Sequence, residues 1–246
     1  MRALIKKIIR IALTPFVLSD FLRFRSLEKD GRFTLSLTDA YPCIKDKTIT
    51  TGFDRHYVYH TAWAARVVKE INPSVHVDIA SSLYFPGILS AFIPVEFYDY
   101  RPAKLALSNL ESKHADLTNL HFKSNSITSL SCLHTIEHIG LGRYGDPIDP
   151  KGDIKASNEL ARVLAPGGSL LFVTPVGKEA KIAFNAHRIY TYEQVQGLFP
   201  DLTLKEFSLI PEYEKDGGLI RNADPALLKN ESYACGCFWF TKEKAS

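Results

Sequence analysis

Short apolar runs alternate with amphipathic segments along most of the chain after residue 70. Runs rich in apolar and β-branched residues predict strands at 75–80, 95–99, 127–133, 169–174, 202–210 and 233–241, with a weaker strand near 114–117. Apolar residues at helical spacing predict helices at 57–71, 85–92, 154–164 and 192–199. A further short element at 104–111 has a helix as one alternative. The pattern therefore indicates that strands and helices alternate.

The order of these elements predicts the fold class. Continuous apolar strands that alternate with helices are typical of an α/β protein with a doubly wound, mostly parallel sheet. The last two strands have no clear helix between them, which predicts an antiparallel pair at one edge and seven strands in all. Glycine and proline residues break up the chain before residue 70, so we expect an N-terminal helical extension at 1–70 and an α/β domain at 71–246.

The first 14 residues combine apolar and basic positions at helical spacing. Leu4, Ile5 and Ile8 lie on one face, whereas Lys6 and Lys7 lie mostly on the other. Such a helix either packs on its own domain or on a second subunit of a homodimer, or it makes a peripheral contact with an anionic membrane. Both alternatives stay open. No apolar run is long enough to span a bilayer, and no secretory signal is apparent.

Composition excludes few classes of protein, but it limits the kinds of partner that the chain can bind. The chain has 46% hydrophobic and 23% charged residues, which is ordinary for a globular protein. A net charge of +3 gives no general affinity for nucleic acid, so we expect no nucleic-acid partner. Cys43, Cys132, Cys235 and Cys237 match no zinc-ribbon spacing, and we interpret them as reduced packing residues of a cytoplasmic protein.

The segment 127–175 carries the most specific pattern of the chain. A predicted buried strand ends in Cys132-Leu133-His134, a predicted helix ends at Pro166-Gly167-Gly168, and an apolar strand follows at once. This order and spacing resemble the second half of the class I S-adenosylmethionine-dependent methyltransferases, and the order of elements extends the resemblance over about 75–241. The resemblance implies a Rossmann-like fold, S-adenosyl-L-methionine as the cofactor and methyl transfer as the activity.

The first predicted strand ends where the resemblance puts the methionine part of the methyl donor. The family has an acidic residue and a Gly-x-Gly loop there, and this chain has Asp78 followed by Ala80, Ser81 and Ser82. The two small residues in the glycine places still let the backbone approach a ligand. The resemblance implies that Asp78 orients the donor's ammonium group, and a solvated strand-end carboxylate is the alternative. A nicotinamide cofactor is disfavoured, because its Gly-x-Gly-x-x-Gly motif is missing.

Acidic residues at the end of the second predicted strand and in the third complete the predicted donor site. Asp99 ends the second strand, where a carboxylate can accept hydrogen bonds from both ribose hydroxyls, and Tyr100 follows it. The resemblance assigns Asp116 to the adenine amino group and the Leu117 backbone N–H to a ring nitrogen. It places Leu133 or His134 beside the sugar or the methionine chain. A helix cap for Asp99 and an Asx turn for Asp116 are the alternatives.

Two histidines, His138 and His187, are the predicted catalytic bases. Methyl transfer to oxygen often requires removal of a proton, which suits an imidazole with a pKa of about 6.5 in model peptides. A structural role is the alternative for His138. His134, Glu137 and His138 also form the His-x-x-Glu-His string of a class of zinc peptidases, but that motif requires a helix and this one follows a strand. We predict no metal ligands, although such groups could hold a cation if another ligand joined them.

The Gly- and Pro-rich loop at 140–153 and the run at 184–190 are predicted to bind the acceptor. Arg143 and Tyr144 of the loop supply polar groups, and Arg188 suits a phosphate or a carboxylate. Together the two segments could close over the site as a lid that excludes water. A plain connector is the alternative for the loop, but the loop is long for that role.

These two segments also resemble an uncharacterised bacterial methyltransferase-like branch that accompanies surface-sugar biosynthesis. By that analogy alone we expect a small-molecule or glycan acceptor, namely a hydroxyl of a saccharide or a sugar-linked intermediate in polysaccharide biosynthesis. The second hypothesis is a non-catalytic binding or scaffold module that derives from a methyltransferase and is tethered by its N-terminal helix. Binding of S-adenosylhomocysteine discriminates between the two hypotheses.

Overall fold

The computed structural model describes residues 2–43 and 45–244, with side chains from residue 15 onward. The chain divides into two compact units, Met1–Phe53 and Asp54–Ser246. The first unit contains helix α1 (Arg2–Leu27), which includes Pro15. The predicted basic and apolar faces of residues 1–14 lie outside the described side chains. Among the helices described, none combines the length and the apolar character needed to cross a membrane.

The second unit is built on a seven-stranded sheet. Its strands are β1 (His76–Ile79), β2 (Val95–Asp99), β3 (Leu110–His114), β4 (Ile127–Leu133), β5 (Leu164–Val176), β8 (Thr203–Ile210) and β9 (Ala234–Thr241), and β6 (Lys181–Ala183) and β7 (His187–Ile189) form a separate hairpin. The order across the sheet is β3-β2-β1-β4-β5-β9-β8. β1 to β5 pair in parallel, and β9 is antiparallel to both of its neighbours. The predicted seven-stranded, mostly parallel sheet is confirmed.

Helices cover both faces of this sheet. Residues of α2 (Arg55–Ile71) and α3 (Tyr84–Leu89) share one apolar cluster with alternate residues of the strands. Residues of α4 (Gly152–Val163) and α5 (Tyr192–Leu198) belong to the other cluster. On β5, Leu171 and Val173 belong to the first cluster and Leu170 and Phe172 to the second. The doubly wound arrangement follows from this alternation.

Helix α2 belongs to the α/β unit rather than to the extension in which the sequence pattern placed it. Its N-cap Asp54 accepts a hydrogen bond from Tyr57 N, and its inner face buries Trp63 and Val67 completely. Trp63 Nε1 donates to Glu206 Oε1 on β8 at 2.8 Å. Because this face packs on four strands of the sheet, the boundary between the units lies after Phe53 and not near residue 70.

The third strand also differs from the sequence-based prediction. β3 occupies Leu110–His114, ahead of the predicted strand near 114–117, and residues 104–109 form no helix. β3 is an edge strand, in which Leu110 is buried whereas Glu111 and Lys113 are exposed. An edge strand of this kind has no continuous apolar run, which is why its sequence signal is weak.

Candidate active site

A cavity of about 550 Å³ lies beyond the carboxyl ends of β1, β2 and β4. Parallel α/β sheets bind ligands at this edge, next to the point where the strand order reverses, and the volume is within the range of small-molecule sites. Nine residues that the sequence singled out line the cavity, namely Ala80, Ser81, Asp99, Tyr100, Asp116, Leu117, His134, His138 and Tyr144. The topology therefore brings most of the predicted site together.

The turn after β1 keeps a glycine-like backbone without glycine. Ala80 has a φ of 56°, in the left-handed region that favours glycine. Its backbone is held from two sides, because Ala80 N donates to Tyr98 O at 2.7 Å and Ala80 O accepts from Thr135 Oγ1 at 2.9 Å. Strained backbone of this kind persists only where its surroundings fix it, and it clusters at ligand sites. The small side chains predicted to replace Gly-x-Gly thus leave the turn open to the cavity.

Asp78 stabilises this turn from the interior of the protein. It does not reach the cavity, which corrects the predicted contact with the donor. Its side chain is fully buried, and Oδ1 accepts hydrogen bonds from Ser81 Oγ at 2.6 Å and from Ser131 Oγ. Ser81 Oγ in turn accepts from Leu133 N at 3.1 Å. The carboxyl group therefore ties the end of β1 to the end of β4, and Ser81 is the member of this network that faces the cavity.

Burial raises the pKa of Asp78 from 3.8 to about 7, against the lowering effect of the Ser131 and Ser81 hydrogen bonds. Between about pH 4 and pH 7 the folded protein keeps a proton that the unfolded chain has lost, so stability falls as the pH rises through this window. As the pH rises through this window, the free energy of unfolding of Asp78→Asn should increase relative to that of the wild type, by at most about 1.4 kcal/mol per pH unit. Urea unfolding at a series of pH values measures this difference, with exposed Asp201→Asn as control. A difference that stays constant with pH would contradict the buried acid.

Two carboxylates, those of Asp99 and Asp116, line the cavity together with the turn after β1. Asp99 Oδ1 accepts from Arg101 N at 2.7 Å, and Asp116 Oδ1 accepts from Thr118 N at 2.8 Å and from Thr118 Oγ1 at 2.7 Å. The Asx turn considered for Asp116 is thus present, and the residue nevertheless lines the cavity. In both residues these contacts use Oδ1, so Oδ2 can accept a hydrogen bond from a ligand.

The end of β4 turns sharply at His134, whose φ is 56°. His134 Nδ1 lies 2.7 Å from Glu137 Oε1, and both side chains are buried. Burial alone would raise the pKa of Glu137, but the charge and the hydrogen bond of His134 outweigh this effect and hold the pKa below its usual value. An ionised Glu137 then accepts the Nδ1 proton, which fixes the orientation of the His134 ring.

His138 presents one ring nitrogen as a proton acceptor. Its Nδ1 lies 2.6 Å from the carbonyl oxygen of Ala186, which can only accept, and 3.2 Å from Arg143 Nη1, which can only donate. The shorter contact with Ala186 O assigns the proton to Nδ1. Nε2 then carries the lone pair, and it lies 3.8 Å from Glu137 Oε1, beyond hydrogen-bond distance. Burial lowers the pKa of His138 below 6.5. The residue is therefore a neutral base at pH 7 in the cavity wall.

The loop after His138 crosses the cavity as a closed turn. Its ends meet at Gly140, where an added Cβ would lie 2.0 Å from the carbonyl oxygen of Asp149. Asp146 Oδ2 accepts from Gly140 N at 2.8 Å and holds the loop from within. Tyr144 reaches the far wall, where the Arg101 guanidinium lies 4.6 Å from its ring centroid. The lid role of this loop stays a prediction.

Besides Asp78, three further predicted residues do not line the cavity. Arg188 is buried, because Nη1 donates to Ile139 O at 2.7 Å and Nε lies 3.6 Å from Asp153 Oδ2, so it holds the loop rather than an acceptor. Arg143 Nη1 donates to Ala186 O at 2.9 Å, and it supports the carbonyl that orients His138. His187 packs against Tyr233 with ring centroids 5.0 Å apart. The predicted substrate contacts of both arginines and the base role of His187 are corrected accordingly.

Several lining residues had no recognised signal in the sequence, namely Tyr57, Arg101, Thr118, Thr135 and Lys155. Tyr57 lies on α2, which the sequence pattern assigned to the extension. Arg101 directly follows the predicted Asp99-Tyr100 pair, so the strand-end argument could have included it.

Comparisons with known proteins show the fold. A family model described as "Caenorhabditis protein of unknown function, DUF268" matches residues 103–216. No curated protein sequence matches the chain. A candidate methyltransferase from Bacillus halodurans superposes with a TM-score of 0.54 and 14% identity, over 75% of this chain and 99% of that one. Because the family model is described from Caenorhabditis, the predicted bacterial branch stays a prediction.

Two further solved structures share the architecture. The 1,6-didemethyltoxoflavin-N1-methyltransferase of Burkholderia thailandensis, solved with S-adenosylhomocysteine, has a TM-score of 0.52 and 10% identity, over 75% of this chain and 79% of that one. The [4+2]-cyclase SpnF has a TM-score of 0.54 and 12% identity, over 75% and 82%. The chain therefore has the class I methyltransferase fold. One of these neighbours is a cyclase, so the fold alone does not decide the reaction.

Proposed function

We propose that this protein is an S-adenosylmethionine-dependent methyltransferase that methylates a hydroxyl oxygen. The observation that carries the proposal is one cavity that is lined by Asp99, by Asp116 and by His138, whose Nδ1 is bonded to Ala186 O. A bound donor supplies an electrophilic methyl group. The residues of this chain have to hold the donor, align the acceptor and take up a proton.

The donor side of the proposal rests on the strand ends. Asp99 Oδ2 accepts from the ribose hydroxyls, Asp116 accepts from the adenine amino group, and the Leu117 backbone meets the ring edge. Ala80 and Ser81 border the methionine part, since the left-handed turn exposes backbone there. Tyr100 and His134 line the same cavity and complete the enclosure.

The acceptor side rests on His138 and the loop above it. Nε2 of His138 takes the hydroxyl proton while Nδ1 stays bonded to Ala186 O, so the ring does not have to turn during the reaction. Tyr144 offers an aromatic face. The cavity is also lined by two carboxylates that can accept hydrogen bonds, Asp146 and Asp149, and by the ammonium group of Lys155, which can donate them. This mixture suits a polyhydroxylated acceptor, such as a saccharide or a sugar-linked intermediate in polysaccharide biosynthesis.

Calorimetry with S-adenosylhomocysteine tests the donor half of the proposal. The full-length protein is expected to bind one equivalent, and a panel of sugars and nucleotide-linked sugars with labelled donor then identifies the acceptor. Absence of binding would support the non-catalytic scaffold hypothesis and overturn the enzyme hypothesis.

His138→Gln is expected to separate binding from turnover. Glutamine can still donate to Ala186 O but cannot accept a proton, so kcat should fall by about 10²- to 10⁴-fold while donor affinity changes little. His187→Gln is the control, because His187 does not line the cavity. The wild-type acid limb of kcat/KM should lie below pH 6.5, since burial lowers the pKa of His138. Equal losses in the two variants would remove His138 from the reaction.

A further inference from the structure

A group of histidine rings and one cysteine meets between α2 and the ends of β4 and β9. The rings of His56 and His134 stack with centroids 5.3 Å apart, and the His60 ring lies 5.0 Å from that of His134. Cys235 on β9 is fully buried beside them. One ligand atom each from His56, His134 and Cys235 lies within 4.8 Å of the others. The arrangement joins three distant parts of the sequence at one point.

His134 is oriented as a metal-binding histidine would be. Its Nδ1 hydrogen bonds to Glu137 Oε1 at 2.7 Å, so in the neutral ring Nε2 carries the lone pair. His134 is only 8% exposed, and its Nε2 is buried without a hydrogen-bond partner among the described residues. Buried polar atoms are nearly always bonded, so an unpartnered imidazole nitrogen requires an explanation. A carboxylate that holds the far nitrogen of a metal-binding histidine is a recurrent second-sphere arrangement.

We propose that His56, His134 and Cys235 bind one divalent transition-metal ion with the ligand preferences of Zn²⁺. Two imidazole nitrogens and one thiolate are ligands that zinc accepts, and three protein ligands leave a fourth position for water or another ligand. Binding forms the metal–sulfur bond as the Cys235 thiol releases its proton to solvent. The inference goes beyond methyl transfer and does not depend on it.

The geometry requires only a small adjustment. Tetrahedral zinc with bonds of about 2.0–2.3 Å places its ligand atoms about 3.3–3.6 Å apart, so separations of up to 4.8 Å close by no more than about 1.5 Å. His56 lies in the first turn of α2 and is half-buried, and rotation of its side chain can supply this movement. The metal would link α2 to the sheet edge that carries the cavity, because His134 also lines that cavity.

Cobalt substitution of the full-length protein tests the site. Chelator-treated protein is titrated with Co²⁺, and equilibrium dialysis with Zn²⁺ followed by elemental analysis gives the stoichiometry. We expect one equivalent of either metal and a thiolate-to-cobalt charge-transfer band. Cys235→Ser and His56→Gln should each weaken binding by more than about 100-fold, and Glu137→Gln by about 10- to 100-fold. Cys235→Ser should also abolish the band.

Two other cysteine variants are the controls for the cobalt titration. Cys132→Ser removes another buried strand cysteine, and Cys43→Ser removes the exposed one, so both variants should retain the band and the affinity. If Cys235→Ser does not fold, half-buried His56 provides the same test without a change to the core. Failure to bind one equivalent, or a band that survives in Cys235→Ser, would overturn the site. Because S-adenosylhomocysteine is absent from these titrations, either result is independent of the proposed methyl transfer.

Discussion

Asp99→Ala is expected to weaken S-adenosylhomocysteine binding by about 10- to 150-fold. Asp99 ends β2 at the cavity, and its Oδ1 is already bonded to Arg101 N, so Oδ2 is the atom left for the ribose. A hydrogen bond to a charged group contributes about 1.5–3 kcal/mol, which converts to that change in Kd. Calorimetry on the full-length protein measures the loss.

The matched control for this substitution is Glu111→Ala. Glu111 is an exposed carboxylate on the neighbouring strand β3, and its removal changes the net charge by the same amount. Its affinity should stay within about 2-fold of the wild type, since screened surface charges contribute little. If both variants bind equally well, Asp99 does not contact the nucleoside.

Gly140→Ala is expected to lower the melting temperature by about 4–8 °C. The φ of Gly140 is 80°, and an added Cβ would lie 2.0 Å from Asp149 O, so the two ends of the loop would have to separate. We expect a cost of more than about 2 kcal/mol, which corresponds to such a shift for a chain of this size. Thermal unfolding followed by circular dichroism measures it.

Gly145→Ala separates backbone strain from the clash. Gly145 has a similar φ of 86°, but nothing lies within 4 Å of its added Cβ. Only the backbone preference is lost there, at a cost of about 1 kcal/mol. Equal losses in Gly140→Ala and Gly145→Ala would show that the loop ends do not have to stay in contact.

The parts of the site that follow from local sequence could be predicted. Asp99 ends an apolar strand, and in parallel sheets that position faces the ligand edge whatever the rest of the chain does. The same logic placed His138 near the cavity, because it follows β4 within a few residues, whereas Asp116 was placed there by the family resemblance. β2 and β4 have the predicted bounds for the same reason, since their apolar runs are buried on both faces.

The parts that depend on distant contacts could not be predicted. Arg188 resembles a free anion-binding group in the sequence, but Asp153 and backbone carbonyls of the preceding loop surround it in the fold. Asp78 faces Ser131 of β4 and Ser81 of the turn after β1, and not the ligand edge. The meeting of His56 with His134 requires the position of α2, which no local pattern specifies.

A structure of the protein with S-adenosylhomocysteine tests the central claim most directly. In that complex we expect the ribose hydroxyls to lie within hydrogen-bond distance of Asp99. We also expect the adenine to lie beside Asp116 and Leu117, and the open side of the sulfur to face His138 Nε2. A nucleoside bound elsewhere, or one whose ribose makes no contact with Asp99, would contradict the account.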